Sequence, residues 1–146
     1  MSQKLLTRVT RERAALQKDA ELLLKDGIYV SWSEQDCRQI CAMAVGPEGT
    51  PYEGGLYFFT VELSDEYPFK PPKATIETRD GVTRIHPNLY ENGKICLSIL
   101  GTWQGDPWHP TMKVVDVVRT TQSLLQNHPI RCEPGFETES GKRFYK

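Results

Sequence analysis

The chain has 146 residues, 38% of them hydrophobic and 25% charged, with a formal net charge of −1. That is enough for one domain around one sizeable core, and the near-even charge excludes a general attraction to nucleic acid or to an anionic membrane surface. No apolar run is long enough to cross a bilayer as a helix.

The opening "MSQKLLTRVTRERAALQKDAELL" is charged throughout and lacks the unbroken apolar segment of a secretory signal. A cytoplasmic or nuclear protein is therefore expected, with its cysteines as free thiols. Ser2 is predicted to cap a helix that runs to about Lys25, with Leu5, Val9, Leu16, Ala20 and Leu23 at helical spacing and Gly27 as the stop. Its early face is basic: Lys4, Arg8, Arg11 and Arg13. Such a face is either simply solvated or a docking surface.

The period then changes to two. Strands are predicted at "IYVSW" (28 to 32), "CRQICAMAV" (37 to 45), "LYFFTVEL" (56 to 63) and "KATIET" (73 to 78), with Tyr57, Phe59, Val61 and Leu63 on one face. Short connections favour an antiparallel meander. "YPFKPP" (67 to 72) holds three prolines that cannot donate to a sheet, so it is an extended loop with Phe69 near solvent.

From Asp80 to Pro110 no long element is readable. A loop of that length is either functional or disordered, and disorder would leave Ile85, Leu89, Ile95, Leu97, Ile99, Leu100, Trp103 and Trp108 in water. A folded functional loop is expected, with one or both tryptophans as packing anchors. A central helix follows over Met112 to Asn127, with Thr111 as its cap and Val114, Val117, Val118, Leu124 and Leu125 as its apolar stripe. No repeat, low-complexity segment or linker divides the chain, so residues 1 to 146 are predicted to form a single domain.

The four cysteines are Cys37, Cys41, Cys96 and Cys132, and none shows the spacing of a zinc site. Cys37 and Cys41 fall in a strand pattern, on one face and about 13 Å apart, and are expected to be core thiols. Cys96 differs. The polar loop "HPNLYENGKI" delivers it just ahead of an apolar run, which suits a nucleophile as well as a small buried hydrophobe. It is expected to be the one solvent-accessible thiol. A Cys-His hydrolase would need an imidazole within hydrogen-bond reach of the sulfur, and His86, followed by proline in a turn, reads better as structural.

In chain order, "YEGG", "YPFKPPK", "HPN", the cysteine eight residues after that asparagine in "GKICLSIL", "WHP" and "SLL" together resemble a ubiquitin-conjugating enzyme over residues 1 to about 137. The run "ICLSILGTWQGDPWHP" followed by "EPGFE" is most similar to the Z-type branch. The resemblance implies an α+β fold: an N-terminal helix, a four-stranded antiparallel meander, a long active-site loop and a central helix, with the C-terminal helices short or missing at "ESGKRFYK". It implies that Cys96 accepts ubiquitin or a ubiquitin-like modifier as a thioester from an activating enzyme and passes it to a substrate lysine or a ligase cysteine. Asn88 would stabilise the oxyanion, and His86 and Pro87 would shape the loop. Phe69, His109 and Pro110, with the start of the first helix, would face a ligase. Lys4, Arg8 and Arg11 would help dock the activating enzyme. No metal or cofactor is implied, because ATP is used by the activating enzyme.

The chain also departs from the common pattern. Ser98 stands where an acidic residue often follows the cysteine, the loop after it carries extra residues Trp103 to Pro107, and the gate reads Ile130-Arg131-Cys132. An attacking lysine, with a reference pKa near 10.4, needs desolvation or an acceptor. Glu133, Asp106 and backbone carbonyls are the candidates.

Overall fold

The computed structural model describes residues 2–135. The predicted end of the chain at "ESGKRFYK", and with it the reading that the C-terminal helices are short or missing, lies outside the described residues.

Ser2 caps the first helix as expected, its hydroxyl accepting the Leu5 N–H at 3.1 Å. The predicted single helix is two, α1 (Gln3–Lys18) and α2 (Ala20–Lys25). Asp19 interrupts them with φ −94° and ψ 6°, and aspartate is a poor helix-interior residue. Gly27, at φ +74°, then turns the chain into the sheet.

The sheet is the predicted meander: β1 (Ile28–Trp32), β2 (Gln39–Val45), β3 (Leu56–Glu62) and β4 (Lys73–Ile76), antiparallel in the order β1-β2-β3-β4. Ile28, Ile40, Ala42, Ala44, Phe59, Val61 and Ile76 point to the covered face and are buried. The outer face is unusually apolar, with Tyr29, Leu56 and Phe58 exposed. Cys41 lies on that outer face and is exposed, which corrects its reading as a core thiol. Cys37 precedes β2 in a turn, half-buried, where its carbonyl accepts the Trp32 indole N–H at 2.7 Å. The two thiols therefore do not share a strand face.

The central helix is shorter than its apolar pattern predicts: α3 spans Val114–Ser123. Thr111 is not its cap. It belongs to the preceding turn, with its hydroxyl 2.8 Å from His109 Nδ1. The helix begins where its free amides find acids. Lys113 N–H donates to Asp116 at 2.7 Å, and Val114 N–H donates to Glu12 at 2.8 Å.

Glu12 is only 5% exposed. Its carboxylate also accepts from the Tyr67 hydroxyl at 2.6 Å and from Arg8 Nε at 2.7 Å. Arg8 goes on to donate to the carbonyls of Pro110 and Met112, at 3.0 and 2.6 Å. Trp108 donates to the Pro68 carbonyl at 2.7 Å and lies against the Tyr67 ring at 5.9 Å. One charged cluster thus fastens α1, the proline loop, the 108–112 turn and the start of α3. The burial and the Glu12 hydrogen bond push the Tyr67 hydroxyl well above its usual pKa, so it remains a donor. Glu12→Ala would leave the guanidinium of Arg8 and the Val114 amide without their acid, at an expected cost of about 3–5 kcal/mol. Tyr67→Phe, which removes one hydrogen bond to the same carboxylate, should cost about 1.5–3 kcal/mol. Urea unfolding of the two variants beside the parent measures both, and equal small losses would show that the cluster does not carry the fold.

Candidate active site

The long loop contains more structure than its sequence suggests. His86 and Leu89 form a bridge, Leu89 pairs with Ile95, and Thr75 of β4 pairs with Lys94. A 3-10 turn, Ser98–Leu100, follows Cys96. Of its apolar residues, Leu89, Ile95, Leu97 and Leu100 are buried. Trp108 is a packing anchor, whereas Trp103 is 37% exposed.

The turn "HPN" folds on itself. The Asn88 N–H donates to His86 Nδ1 at 2.9 Å. Because Nδ1 accepts, the neutral ring carries its proton on Nε2, which is buried and has no hydrogen-bond partner among the described residues. Desolvation lowers the His86 pKa to about 4, helped by the charge of Arg84 and opposed by the Leu124 backbone. The Tyr52 hydroxyl donates to the Ile85 carbonyl at 2.8 Å, and its ring lies 6.3 Å from that of His86. His86 is thus a buried neutral strut, as its position in the turn suggests.

Asn88 and Cys96 are joined twice. The Cys96 N–H donates to the Asn88 carbonyl at 2.9 Å, and Asn88 Nδ2 donates to the Cys96 carbonyl at 2.8 Å. Asn88 is therefore more than a local turn former, since its amide holds the peptide of the candidate nucleophile. Its Oδ1 is buried and has no hydrogen-bond partner.

The expectation of an accessible Cys96 is corrected. The residue is 1% exposed, the most buried of the four cysteines. Asn92 and Lys94 of the loop do stay exposed, but His86 and Asn88 bond inward and the flanking Ile95 and Leu97 are drawn into the interior. Cys132, in the gate, is half-buried. Burial raises its pKa against a hydrogen bond from Gln126 Nε2, 3.0 Å from the sulfur.

The other predicted residues divide. Phe69 is 71% exposed, His109 is exposed and Pro110 half-buried, and the Trp108–Pro68 and Arg8–Pro110 bonds bring them to one end with α1. Lys4 and Arg11 are exposed, but Arg8 turns inward to Glu12. Glu133 is held by Arg84 at 3.2 Å, and Arg84 also braces the Pro87 carbonyl at 2.5 Å. Asp106 is exposed. Sequence reasoning missed Arg84 and Thr102, whose hydroxyl brackets Cys96. Neither carries a period or motif that marks it. Among the described residues no group of three or more His, Cys, Asp or Glu is placed to hold a metal.

The buried neutral His86 has a measurable consequence. Its pKa is depressed in the fold, so between about pH 6.5 and 4 the unfolded chain binds the proton and the folded one does not. Its contribution to stability is complete above pH 6.5 and is lost as pH falls toward 4, about 3 kcal/mol in total. Denaturant unfolding at pH 7, 5.5 and 4 should show a shallower pH dependence in His86→Gln than in the parent. Parallel slopes would mean that the His86 ring titrates alike in the folded and the unfolded chain.

The comparisons agree with this geometry. The family model described as "Ubiquitin-conjugating enzyme" matches residues 8–146. Ubiquitin-conjugating enzyme E2 Z of Danio rerio is 39% identical over 139 residues, 94% of this chain and 41% of its own length. The human E2 Z is also 39% identical, over 92% of this chain and 37% of its own length. The chain thus spans about two fifths of those relatives. A solved Plasmodium vivax ubiquitin conjugating enzyme E2 superposes with a TM-score of 0.59 at 27% identity, covering 77% of this chain and 99% of its own. With the predicted meander, the doubly bonded Asn88–Cys96 pair and these matches in place, the chain belongs to the ubiquitin-conjugating enzyme family.

Proposed function

We propose that this chain carries ubiquitin, or a ubiquitin-like modifier, as a thioester on Cys96 and transfers it to a lysine or to a ligase cysteine. The observation that carries this reading is the Asn88–Cys96 pair, which holds the peptide of one thiol in place beside a side-chain amide.

In loading, the Cys96 thiolate attacks the carbonyl carbon of the activating enzyme's thioester. A new C–S bond forms and the other thiolate leaves. The step exchanges like for like, so ATP acts on the activating enzyme and no cofactor is needed here. Because the backbone of Cys96 is fixed, the sulfur reaches the surface by side-chain rotation and displacement of what covers it. In discharge a neutral lysine amine attacks, the C–N bond forms, the C–S bond breaks and the nitrogen releases its extra proton. The tetrahedral oxyanion needs a fixed donor, and the Asn88 amide is the side-chain donor already at the cysteine. Phe69, His109 and Pro110 form the ligase-facing end, and Lys4 and Arg11 are exposed cations of α1 that meet an activating enzyme. The reading places the protein in the cytoplasm or nucleus, where thiols stay reduced.

Incubation with ubiquitin, ATP and activating enzymes should give a band shift that reductant removes. Cys96→Ser should give a reductant-resistant oxyester, and Cys96→Ala none. A thioester on Cys96→Ala would sink the assignment, while modifier cleavage without ATP would point to a hydrolase.

Asn88 bears on the two steps unequally. Asn88→Ala frees the Cys96 carbonyl, so loading should slow several-fold, and it also removes the oxyanion donor, so discharge of preloaded protein to free lysine should slow about 10²-fold. Equal slowing of both steps would leave Asn88 a purely structural role. Phe69→Ala should change stability by less than about 0.5 kcal/mol and leave loading intact while weakening ligase-dependent discharge. Loss of loading in that variant would place Phe69 at the activating-enzyme contact instead.

A further inference from the structure

The two residues that flank Cys96 are gripped by one side chain. Thr102 lies at the surface, but its hydroxyl turns inward. It accepts the Leu97 N–H at 3.0 Å and donates to the Ile95 carbonyl at 2.8 Å. The Leu97 carbonyl, 3.2 Å from the same oxygen, is served by the backbone amides of Leu100 and Thr102 at 3.0 and 3.2 Å.

Asn88 takes both peptide groups of Cys96 itself. The peptide groups of three successive residues are thereby directed to Asn88, Thr102 and the turn that Thr102 closes. Ile95 and Leu97 are buried on either side. The Cα of Cys96 cannot shift without breaking one of these bonds, so the sulfur's position is set by a single side-chain torsion. Gly105 lies close over Ser98, where an added Cβ would sit 3.1 Å from the Ser98 Cβ. The extra residues after the cysteine therefore fold back onto the same segment.

We propose that Thr102 is a positioning residue for acyl transfer: its hydroxyl, bonded on both flanks of Cys96, fixes where the sulfur stands, independently of Asn88. This rests on the reading of Cys96 as the nucleophile. It asks nothing of Thr102 in the reacting atoms themselves. A hydroxyl is required because the site needs one acceptor and one donor on a single atom. Serine satisfies that requirement, and the isosteric valine does not.

The test compares Thr102→Val and Thr102→Ser with the parent in two assays. In single-turnover discharge over a range of free lysine, Val should lower the maximal rate about 10-fold, less than the 10²-fold cost of a 1 Å misplacement. The lysine concentration at half-maximum should not move, and Ser should stay within about twofold of the parent. In the unloaded protein, iodoacetamide modification located by peptide mass should be faster at Cys96 in Val and unchanged in Ser. Cys37, half-buried and remote in the chain, should keep its parent rate in both. Discharge by Val at the parent rate, Ser as slow as Val, or equal acceleration at Cys37 and Cys96 in Val would each overturn the proposal. The alkylation arm needs no modifier or activating enzyme. A parent that never loads would overturn the function proposed for Cys96, and the alkylation arm would still decide the positioning role of Thr102.

Discussion

The carboxylate of Glu12 is the constraint on which the end that carries Phe69, His109 and Pro110 and the start of α3 both depend. It is buried, and it meets Arg8, the Tyr67 hydroxyl and the Val114 amide at once. A charge in that position is costly unless every oxygen lone pair finds a donor, so the elements that supply the donors must all be in place together. The arrangement also sets the helix: an acid at the first free amide suits the positive end of α3. Through the two carbonyls that Arg8 holds, the same cluster fixes the turn that displays His109 and Pro110. Through Tyr67 and Trp108, it fixes the loop that displays Phe69.

The candidate active site is held by a different means. It lacks a buried charge, and the hydrogen bonds around Cys96 run between neighbouring turns of one loop. His86 stays neutral because it is buried and because Nδ1 already accepts a backbone proton. Asn88 and Thr102 then divide the peptide groups around Cys96 between them. The result is a thiol with a rigid main chain and a hidden sulfur.

The strands were legible because their period of two is clean, as Tyr57, Phe59, Val61 and Leu63 show, and because Gly27 and the proline loop mark the ends. The motif residues His86, Asn88 and Cys96 were legible as a group and do come together. The burial of Cys96 was not legible. A loop rich in Asn, Tyr, Glu and Lys reads as surface, and Asn92 and Lys94 do lie there, but His86 and Asn88 bond inward and take Cys96 with them. The late start of α3 depends on Glu12, remote in the chain, which periodicity does not carry, whereas the break at Asp19 is local and periodicity alone passes over it. One signal was present and unread. On the stripe of Leu5, Val9 and Leu16, the place between Val9 and Leu16 is taken by Glu12, and an acid on an apolar stripe asks for partners. The inward turn of Arg8, one helical turn before it, answers that question. This leaves Lys4 and Arg11 as the solvated part of the basic face.

The two clusters also differ in how much chain each must close. The bonds that hold Cys96 join residues 8 and 7 apart, whereas those of Glu12 span 55 and 102 residues. Loop-closure entropy grows with the logarithm of the span, so the longest of these closures costs about 2 kcal/mol more than the shortest. The cradle of Cys96 is therefore available to a chain whose distant parts have not yet met. Only the docking of helix, proline loop and α3 waits for the whole polypeptide. In a folding reaction this fold separates a locally encoded cysteine loop from a globally encoded end around Phe69 and His109, with the carboxylate as the point at which the second is sealed.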